Sequence, residues 1–306
     1  MIVAITGANG FIGRHLVRRF DAAGWIVRPI VRRDFADGRV HDQLDAADVV
    51  VHAAGETRAP QPRDLDRSNI DLTALMLREA IQARIPRFVF VSSQAAAGPA
   101  ISLETPTTEQ AAPAPIDAYG RSKLAAEQLV RSANVEHVIV RPVSTYGPGD
   151  RDFLQMFRLA RRGIAIHPAN RDHWLSIVNV SDLANAILAC ATSPDAVGKT
   201  YFLGAADPVR WCDLFQAAAR ASGTRLRIDV EVPAALVRVA GRLGDVVART
   251  TGSAGLMTSE KILLSRPRYW VCSSDLARRE IGFAPGVDLQ AGLSEAYDWY
   301  RTAGWL

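Results

Sequence analysis

The run Ile2-Val3-Ala4-Ile5-Thr6, followed at once by Gly7-Ala8-Asn9-Gly10-Phe11-Ile12-Gly13, constrains this chain more than any other feature. The first five residues read as a short buried strand. Phe11, Ile12, Leu16, Val17 and Phe20 then recur at helical spacing, so the glycines fall in a tight strand-to-helix turn. Bare backbone at a helix start, with its unpaired N–H groups, suits the pyrophosphate of a dinucleotide. Gly7, Asn9, Gly10, Phe11, Ile12 and Gly13 are therefore candidate cofactor contacts. Glycines also gather for tight packing alone; what gives this trio specificity is its place after a first strand, at the head of a βαβ pattern.

That pattern continues. Residues 25–31, 49–54, 87–91 and 135–140 read as further apolar strands, with helical patterns over 71–83 and 118–133 between them. Strands that are apolar on both faces and separated by helices predict an α/β fold, a Rossmann-type doubly wound parallel sheet covered on both sides. From about Gly147 the alternation weakens. The expected division is a dinucleotide-binding domain over 1–150, with later sheet elements near 176–203, and a smaller, mostly substrate-binding C-terminal lobe over 151–306. Within the second part, 176–180 with 182–191 and 200–203 with 211–222 read as strand and helix pairs, and 233–248 and 289–300 as amphipathic helices. The Ala/Pro-rich stretch 95–115 reads as a long loop, of a kind that often carries function.

Composition narrows the partners. The 306 residues are 48% hydrophobic and 22% charged, with a mean hydropathy of +0.03, as in a globular protein with a sizeable core. No apolar run reaches the ~18 residues a bilayer span needs, and no basic stretch precedes a greasy one at the start. A cytoplasmic address is the resulting expectation. Cys190, Cys212 and Cys272 show no paired spacing and the six histidines are scattered, so no metal is expected. The net charge of +4 permits attraction to phosphates, but Arg18-Arg19, Arg161-Arg162 and Arg278-Arg279 carry no interleaved aromatics, which argues against nucleic acid.

Three constellations carry chemistry. Arg32 and Arg33 follow the second strand, where an adenosine ribose is usually read; they favour NADP over NAD, although solvent-exposed arginines or an inward Asp34 would read the same way. Tyr119-Gly120-Arg121-Ser122-Lys123 sets a phenol and an ammonium four residues apart, on one helical face. At about 5 Å and an effective dielectric of about 20, the cation would favour phenolate by about 3 kcal/mol, roughly two pKa units. A tyrosine so shifted exchanges a proton with an alcohol near neutral pH. Ser93, ending the strand that contains Val91 and Ser92, stands at the carboxyl edge of the sheet and can hydrogen-bond a substrate oxygen, or simply cap the strand.

The glycine run, Val51-His52-Ala53-Ala54-Gly55, Asn69, Ser92-Ser93, Tyr119 with Lys123, and Arg141-Pro142 with Tyr146-Gly147-Pro148-Gly149 stand in the order found in the extended short-chain dehydrogenase/reductase family. The chain resembles that family, also called the NAD-dependent epimerase/dehydratase family, over nearly its whole length. The resemblance implies Tyr119 as acid/base, Lys123 as the partner that lowers its pKa and binds the nicotinamide ribose, and Ser93 as the hydroxyl that orients substrate. It further implies that Ala53, Ala54, Gly55, Asn69, Val91, Ser92, Pro142 and Val143 line the cofactor, that Gln94 and Tyr146 face the substrate, and that the protein is a homodimer through helices flanking the site.

Departures from the family pattern narrow the chemistry. Gln94 and Ala95 stand where sugar-nucleotide dehydratases resembling this chain have an acidic pair, so elimination loses its acid and base. His173-Trp174-Leu175 replaces the Arg-Asp-Phe run of many nucleotide-sugar epimerases. The segment 34–48 is short, which predicts a reduced third strand. The C-terminal runs Pro233-Ala234-Ala235-Leu236-Val237, Leu256-Met257-Thr258-Ser259-Glu260-Lys261, Tyr269-Trp270-Val271 and Trp299-Tyr300-Arg301 look more like hydroxysteroid-dehydrogenase-like and dihydroflavonol-reductase-like members; they fit an apolar substrate, or merely close the core. The leading expectation is hydride transfer at a secondary alcohol or ketone of a small molecule, with NADP preferred over NAD. C4 epimerisation of a nucleotide sugar on tightly held NAD is the runner-up, and a non-catalytic dinucleotide sensor the third reading.

Overall fold

Strand β1 (Ile2–Thr6) ends where Gly7 takes a left-handed φ of +68°, and the chain turns into α1 (Phe11–Ala22). Strand β2 (Ile26–Ile30), two short helices α2 (Arg32–Ala36) and α3 (Val40–Leu44), and β3 (Val49–His52) follow. Helices α4 (Pro62–Asp66) and α5 (Leu72–Gln82), joined by a π-helical turn at Arg67–Asp71, lead into β4 (Arg87–Val91). After a 3-10 turn at Gln94–Ala96 and the expected long loop come α6 (Ala118–Ser132), β5 (Glu136–Pro142) and β6 (Ser144–Tyr146). The computed structural model describes residues 1–168, 170–251 and 258–306, and within them every side chain except those of Arg249 and Lys261. Leu256 and Met257 of the C-terminal pattern therefore lie outside the described residues.

The second half contains α7 (Asp152–Ala160), β7 (Ile164–Pro168), β8 (Trp174–Leu175), β9 (Ile177–Asn179), α8 (Val180–Thr192) and β10 (Thr200–Leu203). Then come β11 (Val209–Arg210), α9 (Trp211–Ala221), β12 (Ile228–Val232) and α10 (Ala234–Thr251). The chain closes with α11 (Ser259–Leu264), β13 (Tyr269–Trp270), α12 (Asp275–Ile281) and α13 (Leu289–Thr302).

Six parallel strands stand in the order β2-β1-β3-β4-β5-β10. The centres of the inner strands are apolar on both faces because their period-two alternation feeds two cores. Val3, Ile5, Val49, Val51, Val89, Val91, Val138 and Val140 face one cluster with Leu16 and Phe20 of α1 and Leu183 and Ile187 of α8. Ala4, Val50, Phe88, Phe90 and Ile139 face the other, against Met76 and Ala80 of α5 and Ala126 and Val130 of α6. The chain reverses direction across the sheet between β1 and β3, so the carboxyl ends of these strands form the crevice in which such sheets bind ligands.

Two expectations are refined. No strand lies beyond β2 among the described residues; α2 and α3 fill the short segment instead, which is the predicted reduction. Of the two later strand readings, β10 joins the central sheet, whereas β9 pairs in parallel with β6 in a separate two-stranded sheet. The second lobe packs α7, α9 and α13 around Phe157, Phe215 and Tyr300.

Candidate active site

The glycine turn is shaped by backbone pressing on backbone. A Cβ on Gly7 would come within 2.9 Å of the main chain of Ala53 and Ala54, and one on Gly13 would overlap the Gly7 carbonyl. Gly10 N–H donates to Gly7 O at 2.8 Å, and no side chain caps the helix that begins beyond it. Asn9 and Gly10 are exposed. The result is a bare helix N-terminus at the carboxyl edge, a cradle that fits an anionic pyrophosphate.

Beneath it runs a buried relay. Thr73 Oγ1 donates to Asn69 O at 2.6 Å and so accepts from His52 Nε2 at 3.1 Å; His52 Nδ1 is then left to accept from Thr6 Oγ1 at 2.7 Å. Ala54 N–H donates to the same Thr6 oxygen at 3.0 Å. Burial first, then the Lys123 charge, pushes the His52 imidazolium down to about 3, so this histidine is a neutral brace fixing the Ala53-Ala54 turn.

Tyr119 is positioned by how α6 begins. Asp117 caps the helix by accepting from Gly120 N–H at 2.9 Å, and Glu260 of α11 accepts from Ala118 N–H at 2.7 Å. Gly120 has no space for a side chain because the Ala95 carbonyl occupies it, so α6 lies directly on the turn that follows Ser93. The Ser93 hydroxyl stands beside the Tyr119 phenol and accepts from Ala95 N–H at 3.1 Å. Of the two roles expected of Ser93, this contact is the capping one.

Lys123 is 4% exposed. Its Nζ donates to Val91 O at 2.7 Å and lies 4.2 Å from the centre of the Phe90 ring. Burial pushes its pKa down to about 7, opposed by Glu127. Here the structure overturns an expectation. The Tyr119 phenol is pushed up to about 12, not down, because burial outweighs the one opposing influence, the neighbouring Ser93 hydroxyl, and Asp117 adds to the rise. The ammonium is turned to Val91 and Phe90, so the direct Coulombic help computed for a fully charged neighbour does not arise.

Other site candidates are placed as follows. Ser92 sends its hydroxyl to Glu127 at 2.6 Å, which leaves its main chain as the part that faces the cofactor crevice. Asn69 is likewise a brace: its Oδ1 accepts from Glu56 N–H at 3.0 Å and its Nδ2 donates to Glu56 O at 3.0 Å and Ser122 Oγ at 2.9 Å, holding the Gly55 turn against α6. Tyr146 is corrected as a substrate residue, since it is buried in the second lobe's core and packs on Phe153. Arg32 bridges to Glu56 at 2.7 Å across the ends of β2 and β3 with a 90% exposed side chain; Arg33 pairs with Asp37, and Asp34 accepts from Val31 N–H rather than turning into the crevice. Pro142 and Val143 end and follow β5 at the same edge as Ala53 and Gly55. Gln94 is buried, and among the described residues its Nε2 has no hydrogen-bond partner.

Sequence reasoning missed the Glu127 cluster. Arg141 meets the fully buried Glu127 through two bonds, Nε at 2.9 Å and NH2 at 2.7 Å, and Arg131 approaches at 3.3 Å. The signal was present: Glu127 continues the four-residue spacing of Tyr119 and Lys123 on the buried face of α6, and Arg141 interrupts an apolar strand.

A model of the NAD dependent epimerase/dehydratase family matches residues 3–204. The chain belongs to this family. Ceramide reductase of Caulobacter vibrioides is 32% identical, over 100% of this chain and 96% of that protein. The 4-hydroxy-2-methyl-3-oxo-4-farnesyl-3,4-dihydroquinoline-1-oxide ketoreductase of Stigmatella aurantiaca is 28% identical, over 98% and 96% respectively. Among solved structures, UDP-glucuronic acid 4-epimerase from Bacillus cereus, in complex with UDP-glucuronic acid and NAD, matches with a TM-score of 0.79 at 18% identity, covering 99% of this chain and 100% of that one; at that identity the likeness bears on the fold. This epimerase/dehydratase-family member is an NAD(P)-dependent oxidoreductase that takes a nicotinamide dinucleotide. Its described residues include no helix long and apolar enough to cross a membrane.

Proposed function

We propose that the protein reduces a ketone on a lipophilic small molecule to the secondary alcohol, with NADPH as the preferred reductant. The observation that carries this reading is the Tyr119 phenol set beside the Ser93 hydroxyl at the sheet's carboxyl edge, one turn of α6 before the buried Lys123, with burial pushing the phenol pKa upward. A phenol that holds its proton at neutral pH is set to give it to the oxygen of a carbonyl being reduced, and poorly set to take one from an alcohol. Ser93 holds that oxygen through its hydroxyl. Lys123, buried one helical turn from Tyr119 and held at Val91, is suited to hold the nicotinamide ribose beside the phenol. A dinucleotide bound on the 7–13 turn, between Ala53, Gly55, Pro142 and Val143, supplies the hydride, and the exposed Arg32 guanidinium is the group that would meet a 2′-phosphate.

Two relatives support a lipophilic substrate, since their names specify a ceramide and a farnesyl-bearing quinoline oxide. Gln94 adds a chemical detail. A buried amide donor without a partner costs about 1–3 kcal/mol, and this one follows Ser93 directly, so it suits a second oxygen close to the reacting carbonyl. In the same reading residues 1–150 with 176–203 hold the dinucleotide, the rest of 151–306 shapes the substrate site, and the protein is a cytoplasmic homodimer through helices flanking the site.

The test is consumption of NADPH, followed by nicotinamide absorbance, with β-oxygenated ketones on long acyl or prenyl chains and with UDP-sugars in parallel. Turnover of the chain-bearing ketones, with thermal stabilisation by NADP⁺ and none by UDP, is the expected result. Strong stabilisation by UDP, with co-purified NAD and no net absorbance change, would replace the reading with epimerisation.

A further inference from the structure

Helix α10 is apolar on two faces. At 3.6 residues per turn, Val237, Gly241 and Ala248 fall on one side, and all three are buried against the body of the protein. Leu236, Val239, Leu243, Val246 and Val247 fall within about 100° on the roughly opposite side, and each is between 54% and 62% exposed. A surface helix ordinarily carries one apolar stripe and turns a polar face outward. Here the outward face is aliphatic along most of a helix about 27 Å long. Ile228 and Val230 of the preceding strand are also exposed, so seven of the eleven exposed large hydrophobic residues among those described fall within twenty positions. Arg238 and Arg242 project along one flank of the stripe, and no ion pair to either is found among the described residues.

This helix is tied to the catalytic one. Gly241 sits where α10 crosses α11, its missing Cβ leaving room for the end of the Ile262 side chain, and Asp245 accepts from Ser259 N–H at 3.0 Å. The next residue, Glu260, accepts from Ala118 N–H, one position before Tyr119. The exposed stripe is thus one helix removed from the acid/base.

We propose that α10 lies in the surface of an anionic phospholipid bilayer, its aliphatic stripe among the acyl chains and Arg238 and Arg242 at the headgroups, so that substrate passes from the lipid to Tyr119 beside α11. The occupant is chosen by charge. Arginines flanking an aliphatic stripe, on a chain of net charge +4, complement a planar anionic surface. A second copy pairing antiparallel through the same stripe would set the Arg238–Arg242 flank against its own counterpart. The delivery of substrate rests on the lipophilic reading above, whereas the docking is measured without it.

The experiment is co-sedimentation of the full chain with vesicles of phosphatidylcholine alone or with about one-third phosphatidylglycerol. Binding to the anionic vesicles, weakened by salt, is expected. The double variant Val239→Glu with Leu243→Glu should lower it at least tenfold while leaving the turnover of a short, water-soluble ketone unchanged, and should lose turnover of the long-chain ketone presented in vesicles. Arg238→Ala with Arg242→Ala should remove the preference for anionic lipid. Folding of each variant is checked by circular dichroism. Vesicle binding that ignores the glutamates, absence of binding by the folded wild type, or a dimer by light scattering that the glutamates split would each overturn the proposal. Docking that depends on α10 in a protein that reduces no lipophilic ketone would uphold the surface and overturn only the substrate reading.

Discussion

On one side of Tyr119 lies the carboxyl edge of the sheet, and on the other the α10–α11 pair, and the two are held by opposite means. At the sheet edge polar groups are buried and matched: His52 between two threonines, Asn69 with both ends of its amide engaged, Glu127 among Ser92, Arg131 and Arg141. The α10–α11 side meets α6 through the carboxylate of Glu260, which accepts from Ala118 N–H, and turns aliphatic side chains outward. Reaction geometry needs fixed atoms, and a buried satisfied network resists displacement because every broken bond leaves an unpaired group in a low-dielectric site. Substrate capture asks only for a surface of the right polarity, which tolerates exchange of one aliphatic residue for another.

Substitutions on the two sides test that contrast, and the largest effect belongs to the chemistry itself. Tyr119→Phe should lower turnover by about 10²–10⁴-fold, with NADP⁺ still raising the melting temperature. Loss of cofactor stabilisation together with activity would show the tyrosine to be structural. Next, Glu127→Ala strands the Arg141 guanidinium in the interior and should cost about 3–5 kcal/mol in urea denaturation. A loss below about 1 kcal/mol would mean that water reaches that cluster.

The two perturbed groups give pH signatures of definite sign. With the Tyr119 proton held up to about 12, ketone reduction should be flat from about pH 6 to 9 while alcohol oxidation rises with pH; oxidation that levels off below about pH 8 would contradict the raised phenol. Lys123 has a folded pKa of about 7 against about 10.4 unfolded. Below about pH 7 both states are protonated and the full penalty for burying the charge is present; it is relieved as pH climbs toward 10. Lys123→Met should therefore raise the melting temperature by several degrees near pH 6 and by less near pH 10, and an equal shift at both would sink the argument.

Smaller effects follow toward the surface. Arg32→Ala should raise the KM for NADPH about tenfold, equivalent to about 1.4 kcal/mol, and leave that for NADH unchanged. Least of all, Leu243→Glu should alter stability by less than about 0.5 kcal/mol, as expected of an exposed position away from any buried partner.

The contrast also explains what was legible beforehand. The glycine turn, the strands and the Tyr119-Lys123 spacing are local patterns, and the doubly wound sheet followed from them because apolar period-two strands alternating with helices have few ways to pack. The raised phenol was not legible, since its cause is burial, which comes about only when the chain folds and α6 packs on the turn at Ala95. Tyr146 misled for a related reason: it follows β5 in sequence, yet its strand pairs with β9 and turns the ring into the second core. Glu260 could not be tied to α6 at all, because 142 positions separate it from Ala118.

The missing strand beyond β2 has a consequence for colony with other chains. An open parallel edge offers unsatisfied main-chain groups to any extended peptide, and is a common starting point for aggregation. Here Pro29 removes one donor from that edge and Arg28 places a charge beside it. The shortened segment has left a border that cannot easily be extended, and the enzyme can dispense with the strand without inviting another to take its position.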